Sequence, residues 1–213
     1  LKMSEIYFKM RKEDMLLKFP EEMFPHSWYQ EAYPTVYWPP YEGYVVPTGT
    51  DCSIFYYNKR MFEEAGLDPE SPPKTWDEYV QAAKACAKRD ESGMLNVEGF
   101  SVASEMAGRD QAYQLGAKLV TDGDNPRASI NTDEWVQAWE WIYDMYYVHE
   151  VAHVDFPWSE EALGTRLCAM ANDLTWMIGD LQTTYADVWP DIGLAVPPTP
   201  TGKPEPLYGW KNS

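Results

Sequence analysis

Apolar and polar positions along residues 43–59, GYVVPTGTDCSIFYYNK, fall into two short extended runs joined by a turn. Val45 and Val46 are β-branched and end at Pro47, Thr48-Gly49-Thr50-Asp51 supplies small polar turn residues, and Ser53 to Tyr57 resumes the extended pattern. Asn58 and Lys59 close that strand, and Arg60 to Gly66 reads as a short helix with Gly66 at its C-terminal end. Asp68 to Lys74 is a proline-rich loop. Thr75-x-x-Glu78 is a capping box, and Tyr79, Ala82, Ala83, Cys86 and Ala87 recur at helical spacing behind it.

The pattern predicts a helix over Leu1 to Phe19 and another over Glu21 to Tyr33, ended by Pro34. Downstream it predicts a strand over Gly99 to Ala103 and a helix over Arg109 to Val120. A turn at Asp122 to Pro126 precedes a short extended segment over Ala128 to Ile130. Asn131 is expected to cap a long helix in which Trp135, Trp139, Ile142 and Tyr146 repeat at three and four residues. Helices follow over Ser159 to Gly164 and Thr175 to Ala186. Strands are expected over Leu167 to Ala171, Asp191 to Ala195 and, after the proline loop Pro197 to Pro206, Leu207 to Trp210. Strands alternate with helices, so the fold class is α/β.

Composition narrows the function classes. The formal net charge of −17 argues against nucleic acid or an anionic membrane as partner, because binding phosphates takes clustered Lys and Arg. A neutral ligand suits this charge better. Aromatic residues make up 15% of the chain, an unusual share; most are expected to form a large aromatic core and several to line a site. Trp135, Trp139 and Trp141 are assigned to the core by their helical positions. No stretch reaches the roughly 20 apolar residues of a membrane helix. No basic and apolar leader opens the sequence, so a targeting signal is expected to lie outside it. Cys52, Cys86 and Cys168 are too few and scattered for a disulfide framework and are expected to be buried free thiols.

Two motifs carry possible metal chemistry. His149-Glu150-Val151-Ala152-His153 is a literal H-E-x-x-H, which on a helix would set two imidazoles on one face for zinc with the glutamate as general base. No third ligand is motivated nearby, and Asp155 follows where a buried helix would continue with an apolar residue. The alternative places His149 at a helix C-terminus, favoured by the dipole. Asp122, Asp124 and Asn125 resemble the opening of a calcium loop, but Arg127 stands where its glycine belongs and the closing glutamate is missing, so a polar turn is the better reading.

A resemblance gathers the remaining features. Gly43-Tyr44-Val45-Val46-Pro47, Thr50-Asp51, Tyr56-Tyr57-Asn58-Lys59 with Phe62 and Ala65-Gly66-Leu67 resemble the extracellular solute-binding proteins of bacterial ABC importers, in their sugar-binding, maltose-binding-protein-like branch (family 1). Pro72-Pro73-Lys74-Thr75-Trp76-Asp77-Glu78, Ala169-Met170 with Trp176, Asp191-Ile192-Gly193 and Pro197 to Lys203 are similar to further motifs of that family, in family order. The resemblance implies a two-lobed periplasmic-binding-protein-like fold of type II, from a chain about twice this long. The second lobe is then largely present and the first incomplete: residues 1–47 in a partial first lobe, 48–206 in the second, and 207–213 returning to the first, with hinge strands near 48–52 and 207–211.

The same resemblance implies a non-catalytic receptor, expected to be a monomer, that delivers a neutral sugar or oligosaccharide to an ABC transporter permease in the periplasm or outside the cell, without a cofactor. Any lipid anchor would lie in a segment absent here. By position, Asp51 matches an acid that hydrogen-bonds sugar hydroxyls, Trp176 a ring that stacks under a sugar at a helix start, and Trp158 another ring of the second lobe. Tyr208, Gly209 and Trp210 fall on the returning strand beside the cleft, and Glu105 and Arg109 where ligand-contacting side chains stand. The sequence departs from the family at Asp173-Leu174-Thr175, where glycine is usual before the stacking Trp, and at Arg166-Leu167, where Gly-Lys is common. The alternatives are a zinc metallopeptidase using His149, Glu150 and His153, and a carbohydrate-binding module of a larger enzyme.

Overall fold

The structure, a computed structural model, describes residues 7, 9–32, 43–44, 52–102, 104, 107–121 and 127–203. The chain divides into two compact units, Leu1–Thr50 with Gly209–Ser213, and Asp51–Tyr208.

In the first unit, residues 9–12 are helical and the helix stops at Asp14, whose φ of 54° is left-handed. The helix expected as far as Phe19 is therefore shorter. Residues 21–25 form turns, and helix α1 spans His26–Ala32, so only the second half of the expected 21–33 helix is present.

The second unit is built on a three-stranded sheet in the order β4-β1-β5, with β1 Ser53–Asn58, β4 Met170–Leu174 and β5 Ile192–Ala195. β1 is central and antiparallel to both neighbours: Phe55 lies opposite Asn172 and Ala195, and Tyr57 opposite Met170 and Gly193. Residues 98–101 run parallel to β4 through bridges at Glu98–Cys168 and Ser101–Ala171, in place of the regular strand expected over Gly99 to Ala103, of which Ala103 lies outside the described residues. A small hairpin pairs β2, Lys88–Arg89, with β3, Leu95–Val97.

Period two along β1 explains why it is buried on both faces. Phe55 and Tyr57 point into one core with Tyr79 and Ala83 of α3 (Trp76–Cys86) and Ile142 and Met145 of α5 (Asp133–Tyr147). Tyr56 points into the other, with Leu163 of α6 (Ser159–Gly164) and Met177 and Leu181 of α7 (Met177–Thr184). Helices thus cover both faces of the sheet. The aromatic content is used here first: Tyr79 stands edge-on to Phe55 and to Phe100, with ring centroids 5.1 and 4.9 Å apart. Gly193 is required by this packing, since a Cβ there would fall 2.2 Å from the Tyr57 ring.

Caps place the helix ends. α2 (Lys59–Glu64) and α4 (Arg109–Gln114) both end in a Schellman motif: Leu67 N–H donates to Phe62 O at 2.8 Å, and Ala117 N–H to Ala112 O at 2.9 Å. Gly66 and Gly116 supply the positive φ, and Gly116 is why α4 stops well before the expected Val120. Thr75 and Glu78 form the expected capping box of α3.

Several expectations shift. The N-cap position of α5 is Thr132 rather than Asn131, and its side chain makes no capping hydrogen bond. β4 begins three residues later than expected and carries the buried polar residues Asn172 and Asp173. Cys86 and Cys168 are buried free thiols, with Cys86 pushed up to about 12 by burial, but Cys52 precedes β1 and is exposed. Trp139 is 54% exposed rather than in the core, because α5 buries the face of Trp135, Ala138, Ile142 and Met145 and presents Trp139 a step to one side. The acidic turn at 122–126, the strand over Leu207 to Trp210 and the hinge strands lie outside the described residues, apart from Cys52.

Candidate ligand-binding site

Polar side chains converge where β1 begins and β4 ends. Ser53 opens β1 opposite Leu174, and Asp173 lies opposite Ile54. Asp173 is buried; its Oδ1 accepts the Leu174 N–H at 2.7 Å and its Oδ2 accepts the hydroxyl of Ser159, the first residue of α6. Asp110, the second residue of α4, is equally buried, and its Oδ2 accepts the Ser53 hydroxyl. Two serine–aspartate pairs therefore fasten the starts of α4 and α6 to the same end of the sheet. The Ser104 hydroxyl donates to Asn172 O at 2.6 Å, bringing the segment ahead of α4 to this end too.

This anchoring positions three of the sequence-predicted site residues. Trp158 is the N-cap of α6, next to Ser159, and Trp176 is the N-cap of α7, three residues beyond Asp173. Despite their place in the frame, their rings stay 58% and 40% exposed. Arg109 begins α4 beside Asp110. Ahead of it, Gly108 adopts φ 75° and donates its N–H to Gln111 Oε1 at 2.9 Å. A Cβ on Gly108 would come within 2.9 Å of the Trp139 indole, so that exposed ring lies against the turn that presents Arg109.

Burial pushes the Asp110 carboxyl up to about 7; the Ser53 hydrogen bond and the Arg109 guanidinium pull against that, and Asp173 adds to it. Glu160 in the first turn of α6 is also raised by burial, then by Asp180 and Asp173. Two exposed indoles beside carboxyls, hydroxyls and an arginine suit a ligand with apolar ring faces and a rim of hydroxyls. Asp51, Glu105, Tyr208, Gly209 and Trp210 lie outside the described residues.

Sequence reasoning missed Ser53, Asp110, Ser159 and Asp173. The available signal was polarity at positions the pattern buries: Asp173 ends an apolar strand run, and Asp110 starts a helix packed on α5.

The H-E-x-x-H segment is not a helix. α5 ends at Tyr147, Glu150 takes φ 51°, and the chain folds back so that Val151 N–H donates to Met145 O at 3.0 Å. Glu150 bonds Arg89 through its backbone O at 2.7 Å, and His153 Nδ1 accepts the Asp155 N–H at 3.3 Å. Without helical spacing the two imidazoles do not share a face. Among the described residues, no three His, Cys, Asp or Glu side chains are grouped to hold a metal ion. The calcium-like residues Asp122, Asp124 and Asn125 lie outside the described residues.

Residues 10–212 match the family described as bacterial extracellular solute-binding protein. The chain belongs to that family. Over 115 residues it is 32% identical to the arabinooligosaccharide-binding protein of Halalkalibacterium halodurans, covering 53% of this chain and 24% of that protein. Over 90 residues it is 32% identical to an sn-glycerol-3-phosphate-binding periplasmic protein of Yersinia pestis, covering 38% of this chain and 20% of that one. The crystal structure of an ABC transporter solute-binding protein from Thermotoga lettingae, bound with α-D-tagatose, superposes with a TM-score of 0.74 at 25% identity, over 92% of this chain and 52% of that one. The fold is thus that of the two-lobed periplasmic binding proteins, of which the chain spans about half a structural relative and less of the curated relatives. Solute-binding proteins of this family are extracellular, and among the described residues no helix is long and apolar enough to cross a membrane.

Proposed function

We propose that this chain is the ligand-holding part of a receptor that delivers a neutral sugar or oligosaccharide to the permease of an ABC importer, without catalysing a reaction on it. The observation that carries the reading is the pair Trp158 and Trp176, exposed at two helix starts at the end of β4, the first tied there by the buried Ser159–Asp173 bond and the second following β4 along the chain. Indole faces accept the C–H faces of a sugar ring, and Arg109 with Glu160 in the first turn of α6 supplies hydrogen bonds for its hydroxyls. Asp51, Glu105, Tyr208, Gly209 and Trp210 complete the proposed ligand set. The relatives that bind an arabinooligosaccharide or tagatose support a carbohydrate. A relative named for sn-glycerol-3-phosphate raises an anionic ligand as a second reading, but a net charge of −17 and the carboxyls of the site favour an uncharged one. We assign residues 1–47 to a partial first lobe, 48–206 to the second and 207–213 to the return, and take the working form to be a monomer.

The test is calorimetric titration of the full chain with arabinotriose, mannotriose, maltotriose, tagatose and sn-glycerol-3-phosphate. At least one neutral sugar should bind, and Trp176→Ala should weaken it about tenfold or more, as expected for loss of one stacked ring. Binding of glycerol phosphate alone, or a Trp176→Ala variant as tight as wild type, would overturn the proposal.

A further inference from the structure

Asp110 is 0% exposed, and while its Oδ2 holds Ser53, its Oδ1 has no hydrogen-bond partner among the described residues. Among the described residues, the charged or titratable groups facing it are Arg109 and Tyr113 on its own helix, Asp173 on β4 and Tyr79 on α3. α5 packs on α4 through Trp135 and Ala138, which carry no charge. Two buried carboxyls therefore lie close to one another, with the Arg109 guanidinium beside Asp110, at the junction that presents Arg109 and Trp176.

We propose that Asp110 is a positioning residue of the sugar site, and that the protein binds its sugar with Asp110 protonated, so that ligand affinity is coupled to a proton. The inference rests on the sugar-binding reading above. Its physics is linkage. A sugar laid over the two indoles displaces water from the end of the sheet, and removing water penalises a charged Asp110 more than a neutral one. An ionised Asp110 also repels Asp173, which pushes α4, with Arg109, away from β4 against the hold of the Ser53 hydrogen bond. Both effects favour the protonated form in the complex. Affinity should therefore be highest below neutral pH and fall as pH rises through about 7, where Asp110 loses its proton in the free protein.

The experiment is calorimetric titration of the full chain with the tightest binder of the four sugars named above, at several pH values from about 5.5 to 8.5. For wild type, Kd should rise about threefold to tenfold across that range, the span expected when binding shifts one group by up to a pKa unit. Asp110→Asn removes the titrating proton and should bring the ratio of the two end-point Kd values close to one. Ser53→Ala deletes the hydrogen bond that favours the ionised form and should move the midpoint of the profile to higher pH. That second variant carries the test should circular dichroism show Asp110→Asn unfolded. A group that only holds the fold would change Kd without changing its pH ratio. Sugar binding with a flat pH profile in wild type, an Asp110→Asn variant that keeps the wild-type ratio, or an unmoved midpoint in Ser53→Ala would each overturn this inference alone. Failure of every sugar to bind at any pH would overturn the sugar-binding reading and this inference with it.

Discussion

Glu98 sits beside β4, opposite Cys168, with 1% of its surface exposed. Burial pushes its carboxyl up to about 8, tempered by the nearby Ser101 hydroxyl, His153 backbone and Cys168 thiol. The folded protein therefore keeps a proton that the unfolded chain releases near the ordinary glutamate value of 4.5. Its contribution to stability is fully present below that value and is lost as pH rises to about 8, by at most about 1.4 kcal/mol per pH unit. Glu98→Gln should flatten this fall, read by urea denaturation at pH 5 and pH 8.5; a variant with the wild-type slope would show that another group dominates. Residues of this kind were the least legible in the sequence. Neither Glu98 nor Asp110 differs on paper from a solvated acid, because what distinguishes them is the through-space approach of elements distant along the chain. The helix starts that carry Trp158 and Trp176 were legible because helix boundaries are local features. Trp139 misled, since a helical repeat of three and four residues fits two adjacent stripes and only packing decides which one is buried.

Element ends show the reverse balance. The α3 capping box, the Gly66 stop of α2 and the bounds of α6 could be read from residues three or four apart, because the bonds that make them are local. In α3 the Thr75 Oγ accepts the Glu78 N–H at 3.1 Å and the Glu78 carboxylate accepts the Lys74 and Thr75 N–H groups at 2.7 and 3.1 Å. Those backbone bonds hold the Glu78 carboxyl below its ordinary value. Thr75→Ala should destabilise the protein by about 1 kcal/mol. The cap also meets a loop distant in sequence: Thr199 N–H donates to Lys74 O at 3.0 Å and Trp76 N–H to Thr199 O at 3.1 Å. Proteolysis of the 197–203 loop should therefore quicken in Thr75→Ala, and an unchanged cleavage rate would show that the cap and the loop are independent. Strand bounds were read less well: β4 is shifted three residues past the expected run because it continues through the buried polar residues Asn172 and Asp173, the second paired with Ser159, which sequence spacing does not connect to it.

At the scale of the whole molecule, a net charge of −17 surrounds a proposed site for an uncharged ligand, and that combination predicts how binding responds to salt. A sugar brings no charge, so screening the protein's field leaves its encounter and its hydrogen bonds almost untouched. An anionic solute such as glycerol phosphate would be repelled by the same field, and added salt would relieve the repulsion and tighten its binding. Raising ionic strength from about 0.02 M to 0.3 M shortens the screening length from roughly 20 Å to roughly 6 Å, enough to separate the two cases. Kd for the neutral sugar should change by less than about twofold over that range, as read by calorimetry, whereas a Kd that falls severalfold with salt would identify an anion as the ligand. The same screening should stabilise the fold itself, because like charges on a compact body repel more strongly than on an extended chain. An increase in Tm with salt, alongside an unchanged sugar Kd, would separate the two roles of the charge: a general strain on the folded state and no part in holding the sugar.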